Sequence, residues 1–211
     1  MKNLKYVFTF CFAIFVLTSC QDKNSKNEMV EEEGGVRMDE IETNEVEDNV
    51  YQRLSEEEDL REFSAGMTRA GLSDDFSEGE GPFTIFAPAN VAFDGLAEAE
   101  KGEYQDSDNV RANLARMYYL VVERELPAAE LRQAINDVGG DMELITMQGE
   151  RLIASIEGEK IVLKDGLGNT ATITQPDRNA SNGVVHIIDG ILRPQDLDRI
   201  DFSEETLDTV Q

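Results

Sequence analysis

The chain has 211 residues, with 19 lysines and arginines against 44 aspartates and glutamates, for a formal charge of −25 at pH 7. A body that acidic repels nucleic-acid phosphates and anionic lipid surfaces, so neither is expected as a partner held by charge. One histidine and two cysteines leave too few ligands for a His/Cys metal cluster, and no metal or other cofactor is expected.

The chain opens with Lys2 and Lys5, followed by an apolar run over residues 6–17. A membrane span needs about 20 apolar residues, so this run has the size of a signal-peptide core. It ends in Leu17-Thr18-Ser19-Cys20, which resembles the bacterial lipobox. That resemblance implies a lipoprotein signal over residues 1–19 and acylation of Cys20. The alternative is an ordinary secretory signal with a coincidental cysteine. With Cys11 removed and Cys20 modified, the mature chain would hold neither a free thiol nor a disulfide.

Residues 20–48 are polar and acidic, with Glu31-Glu32-Glu33 followed by Gly34-Gly35, and read as a solvated tether. Gln21 stands where an aspartate would mark inner-membrane retention in the enteric sorting pattern. The acidic stretch after it is similar to the surface-export signals of Bacteroidetes-type lipoproteins. The expected location is therefore the cell envelope, lipid-anchored in the outer membrane, on its periplasmic or its outer face. Attachment would come from acyl chains, not from protein charge.

Residues 49–195 suit one domain, followed by an acidic tail over 196–211. Ser55 and Glu58 have capping-box spacing, which predicts a helix carrying Leu60, Phe63, Met67 and Ala70 on one face and stopping at Gly71. Residues 83–86 predict a strand ended by Pro88. Asn90 is placed to cap a helix with Val91, Phe93 and Leu96. Asp108 is placed to cap another with Val110, Leu114 and Met117 on one face. Residues 119–122 turn β-rich, and Pro127 suits a helix start before Ala128-Ala129-Glu130-Leu131.

The period then changes. Residues 144–147, 151–156, 160–164 and 170–174 are short runs rich in Ile, Val, Leu and Thr, with Gly149, Gly158 and Gly166 in the joints. Residues 182–194 read as an Asn-Gly turn, a buried strand holding His186, and a second strand closed by Pro194. Helices first and strands later indicate an α+β domain on antiparallel sheet.

GPFTIFAPANVAF (81–93) and NGVVHIIDGILRP (182–194) resemble the two signature boxes of the fasciclin (FAS1) family, and MELITMQGERLIASI (142–156) is similar to its middle section. The resemblance covers nearly all of residues 49–195. It implies the FAS1 fold, a wedge-like antiparallel β-sandwich flanked by short α-helices, used for adhesion or extracellular binding and not for catalysis. The apolar residues of the two boxes would pair as adjacent strands, buried on both faces.

Two places depart from the family pattern. Tyr119-Leu120 stands where a Tyr-His pair is common. Gln175-Pro176-Asp177-Arg178-Asn179 stands where vertebrate members carry an adhesive segment, matching it at Pro176 and Asp177 but not at Arg178. Asp177, Pro176 and Tyr119 are accordingly the candidate contact residues.

His186 invites a catalytic reading with Ser181 and Asp189 nearby. Its place within an apolar strand favours a structural imidazole bonded to backbone. Residues 106–108 and 165–169 superficially resemble calcium loops but lack the alternation and terminal glutamate of an EF-hand, and read as turns. The expected function is adhesion or surface binding to a protein or glycan. The alternatives are a structural envelope lipoprotein without a dedicated ligand and an acid-based hydrolase.

Overall fold

The computed structural model describes residues 47–198. The expected signal, Cys20, the tether up to residue 46 and the tail from residue 199 lie outside the described residues.

Helix α1 (Val50–Glu56) begins at Asn49 through a reciprocal box. The Asn49 side chain accepts from the Gln52 N–H, and the Gln52 side chain accepts from the Asn49 N–H. Ser55, expected as a cap, lies inside α1 and bonds the Tyr51 carbonyl instead. A 3-10 turn at Glu58–Leu60 leads into α2 (Arg61–Arg69). Leu60, Phe63, Met67 and Ala70 are buried as one stripe, and Gly71 follows in the left-handed region at φ 76°. Next come α3 (Ser73–Ser77), β1 (Phe83–Pro88), α4 (Asn90–Asp94), α5 (Glu98–Gln105) and α6 (Val110–Tyr118). Then follow β2 (Val121–Val122), α7 (Ala128–Asp137), β3 (Met142–Ile145), β4 (Arg151–Glu157), β5 (Lys160–Lys164), β6 (Thr170–Ala180) and β7 (Gly183–Ile188).

Two expected caps are corrected. Asn109, not Asp108, caps α6, accepting from the Ala112 N–H at 3.3 Å. Asn90 is the first residue of α4, and its side chain reaches across to the preceding helices: Nδ2 donates to the Glu58 carbonyl and Oδ1 accepts from the Glu62 N–H. The second strand expected before Pro194 is absent, because the Arg193 N–H goes to the Asp165 carboxylate and not to a strand partner.

The strands run in the order β2-β1-β7-β6-β5-β4-β3. Every pairing is antiparallel except β1 with β7, which is parallel from Phe83↔Gly183 to Pro88↔Ile188. The parallel pair departs from the all-antiparallel expectation. It is possible because nearly the whole domain lies between the two strands as a crossover. The Met147 N–H donates to the Val121 carbonyl at 2.8 Å, so the turn after β3 reaches the β2 edge and the sheet curls back on itself.

The signature boxes owe their composition to this pairing. All six residues of β1 and all six of β7 are buried. Each large apolar side chain contributes about 1.5–3 kcal/mol, so folding alone accounts for the apolar runs. The buried Thr84 hydroxyl donates to the Arg124 carbonyl and accepts from the Leu126 N–H, fixing the segment that enters α7. Asn182 ties three places together. Its Oδ1 accepts from the Val50 N–H at 2.8 Å, and its Nδ2 donates to the Phe76 and Gly79 carbonyls at 3.1 and 2.9 Å.

Candidate binding site

The site is built on a fault in the sheet. Between β6 and β7 the register slips at Ile173/Gln175 and again at Gln175/Arg178. Pro176 has no N–H to offer a ladder, and Asp177 sits in the left-handed region at φ 60°. The slip pushes Pro176 and Asp177 out into solvent. Sequence reasoning places candidate contacts at both residues, and the structure brings them together on one exposed bulge.

His186 of β7 lies under that bulge with no exposure, stacked on the Phe86 ring. Nε2 is 2.8 Å from the Leu126 carbonyl, so Nε2 carries the hydrogen, and Nδ1 accepts from the Asp177 N–H at 3.2 Å. That tautomer is assigned from the partners. The Asp177 carboxylate lies 3.9 Å from Nδ1 and spends its Oδ1 on the Ala128 N–H, 2.7 Å away, at the start of α7. Asp177 is therefore a cap supplied from a distant strand to a helix whose own Pro127 cannot provide one. The catalytic arrangement fails on the same geometry. A general base needs one nitrogen free for a nucleophile and the other donating to a carboxylate, and here both nitrogens serve the backbone.

Tyr119 is corrected as a contact residue. It is fully buried, and its hydroxyl donates to the Arg151 carbonyl of β4 at 3.0 Å. The ring fills the core where β2 begins, so no partner can reach it. Burial raises the phenol well above its ordinary value.

Beside the bulge lies a groove of about 180 Å³. Ala89, Val91 and Ile187 form its apolar walls, and Asp59, Asp189 and Gln175 are among its polar lining. Sequence reasoning misses it because the spacing of Val91 marks a core position of a helix, whereas the residue is 69 % exposed. Gly166 of the 165–169 loop lines a wider opening of about 410 Å³ with Glu150, Arg151, Gln195 and Asp196, but Asp165 is not among its lining residues. The buried Asp165 carboxylate accepts from the Leu167, Asn169 and Arg193 backbone N–H groups and from the Asn169 side chain. Its oxygens are committed to the loop itself.

Residues 58–194 match the family model described as the fasciclin domain. The chain belongs to the fasciclin family. Protein sll1483 of Synechocystis sp. is 31 % identical over 115 residues, covering 54 % of this chain and 57 % of that protein. Transforming growth factor-beta-induced protein ig-h3 of Sus scrofa is 29 % identical over 130 residues, covering 62 % of this chain and 17 % of its own length. Human periostin is 24 % identical over 195 residues, covering 92 % of this chain and 21 % of its own. The chain thus spans little more than half of the first of these relatives and about a fifth or less of the other two. Among solved structures, a FAS1 domain pair from the insect cell adhesion molecule fasciclin I superposes with a TM-score of 0.62 at 15 % identity. That match covers 69 % of this chain and 50 % of the other, and it establishes the shared fold.

In this fasciclin domain His186 makes stability depend on pH. Burial holds its pKa below the ordinary 6.5, outweighing the Leu126 carbonyl and the Asp177 charge, which act the other way. As the pH falls through 6.5 the unfolded chain takes up the proton first, so stability drops until the folded value is reached. The expected slope is at most about 1.4 kcal/mol per pH unit. Urea unfolding at pH 7.5 to 5 should show this slope in the parent and not in His186→Gln. Equal slopes in the two proteins would rule the histidine out as its source.

Proposed function

We propose that this chain is a lipid-anchored envelope protein whose fasciclin domain binds a protein or glycan at the cell surface. The observation that carries the reading is the exposed Pro176–Asp177 bulge of β6 beside an apolar groove between that strand and the start of α4. The kinship with an insect cell adhesion molecule supports the same class of role. The binding of both His186 nitrogens to backbone weighs against the hydrolase alternative. Anchoring follows from the Leu17-Thr18-Ser19-Cys20 segment, and an outer-membrane location from Gln21 after the cysteine.

Cells lacking the gene should attach less to surfaces or cohere less in biofilm. The parent chain should restore attachment, whereas a Cys20→Ala chain should not, because the domain would no longer be held at the cell. Unchanged attachment on every substratum tried would leave the structural-lipoprotein alternative standing.

A further inference from the structure

We infer that the groove beside the bulge receives a lysine or arginine side chain from an extended segment of a partner protein. The inference rests on the surface-binding reading and names the chemistry of the partner.

Size decides the first point. At about 180 Å³ the groove is smaller than the 300–1,000 Å³ of sites that enclose a drug-sized ligand, and it has room for one long side chain. The lining decides the second. Ala89, Val91 and Ile187 offer aliphatic walls for the methylene stem, and no aromatic ring lines the groove to stack on a sugar. The rim decides the third. The exposed Asp59 carboxylate has no ion-pair partner among the described residues, and Asp189 places one oxygen on the Thr172 N–H at 2.7 Å, leaving the other for a ligand. A stem in an apolar trough with its cation at a carboxylate rim is how long basic side chains bury themselves favourably.

The one cation of the bulge segment does not fill this role. Arg178 stands beside the groove with its guanidinium already engaged, by Glu57 at 3.2 Å and by the side-chain oxygen of Gln175, a lining residue, and it is not itself among the residues that line the groove. The groove walls are also fixed in advance. Asn90 holds α4 to the Glu58 carbonyl and the Glu62 N–H, so Val91 keeps its place without a ligand. A stem lying against the exposed Val91 would cover its side chain. The overall charge of −25 then steers basic partners toward the domain at long range.

The test uses the full chain in detergent and fluorescein-labelled 12-residue peptides in a Val-Ser-Thr background, with lysine, arginine, norleucine or glutamate at the centre. Anisotropy is read at 150 mM salt. The lysine and arginine peptides should bind, and the norleucine peptide, with a stem but no charge, at least tenfold more weakly. Asp59→Asn with Asp189→Asn should weaken the lysine peptide about tenfold or more, as should Val91→Ser. The amide oxygen that Asp189→Asn leaves in place would still accept from the Thr172 N–H, and unchanged thermal melting confirms folding. A control pair, Glu143→Gln with Glu159→Gln, should leave binding unchanged.

The inference is overturned if the control pair weakens binding as much as the groove pair, because general charge would then hold the peptide. It is also overturned if no peptide binds, or if only glycan fractions are retained by the chain. Failure here is separable from failure of the broader reading. An Asp59→Asn/Asp189→Asn chain that restores attachment to deleted cells would sink the groove but keep the surface-binding role.

Discussion

Gly183→Ala is expected to cost about 4 kcal/mol of folding stability. At φ 154° a side chain there is strained wherever it points, and a Cβ would stand 2.1 Å from the Phe83 carbonyl oxygen and 2.8 Å from its nitrogen. Neither atom can yield cheaply. Phe83 opens the parallel pairing with β7, and its N–H already donates to the Asn182 carbonyl. Backbone strain contributes about 1–3 kcal/mol and overpacking a similar amount. The control is Gly158→Ala, at φ 63° but with nothing within 4 Å, which should suffer only the backbone part. Urea midpoints compare the two. A Gly183 variant no worse than the Gly158 variant would mean that β1 and β7 can part at that end without penalty.

Asp165→Ala should cost about 2 kcal/mol, for a different reason. Alanine would leave the N–H groups of Leu167, Asn169 and Arg193 without the acceptor that the buried Asp165 carboxylate supplies to an otherwise exposed loop. A stranded donor costs about 1–3 kcal/mol unless water reaches it, and residues 167 and 169 are exposed to water, so a loss of about 2 kcal/mol is expected. Asp165→Asn keeps one acceptor oxygen but turns an amide toward other donors, and should fall between parent and alanine. A loss below about 1 kcal/mol in the alanine variant would show that the loop has other partners at hand. The 165–169 segment would then need another reason for its shape.

The strands are legible because burial on alternate or both faces leaves a direct trace in the order of residues. The two boxes are legible for the same reason, and their apolar runs do lie side by side in the core. What escapes is every interaction whose partner lies far along the chain. Ser55, Asn90 and Asp108 each have the chemistry of a local cap, yet Asn90 serves the helices before it, and the neighbours Asn49 and Asn109 take the caps. Asp177 reads locally as a turn aspartate with a carboxylate to offer. Its tie to Ala128, across 49 residues, is set by the register slip of β6, which no local pattern announces. Tyr119 follows a helix and precedes a strand, a place as open to the surface as to the core. Only the position of β4 decides that it is core.

The N-terminal flank meets the domain at the β6–β7 turn. The Ser181 N–H donates to the Asp48 carbonyl at 2.8 Å, and the Val50 N–H donates to the Asn182 side chain at the same distance. Tension arriving through residue 48 would therefore fall first on Ser181 and Asn182. Those residues also hold β1, through the Phe83 N–H, and the α3–β1 connection, through Phe76 and Gly79. A pull on that flank would be passed through these bonds to the central parallel strands as well as to the start of α1. The asparagine that opens the second box would then serve as a mechanical clamp as well as a folding knot.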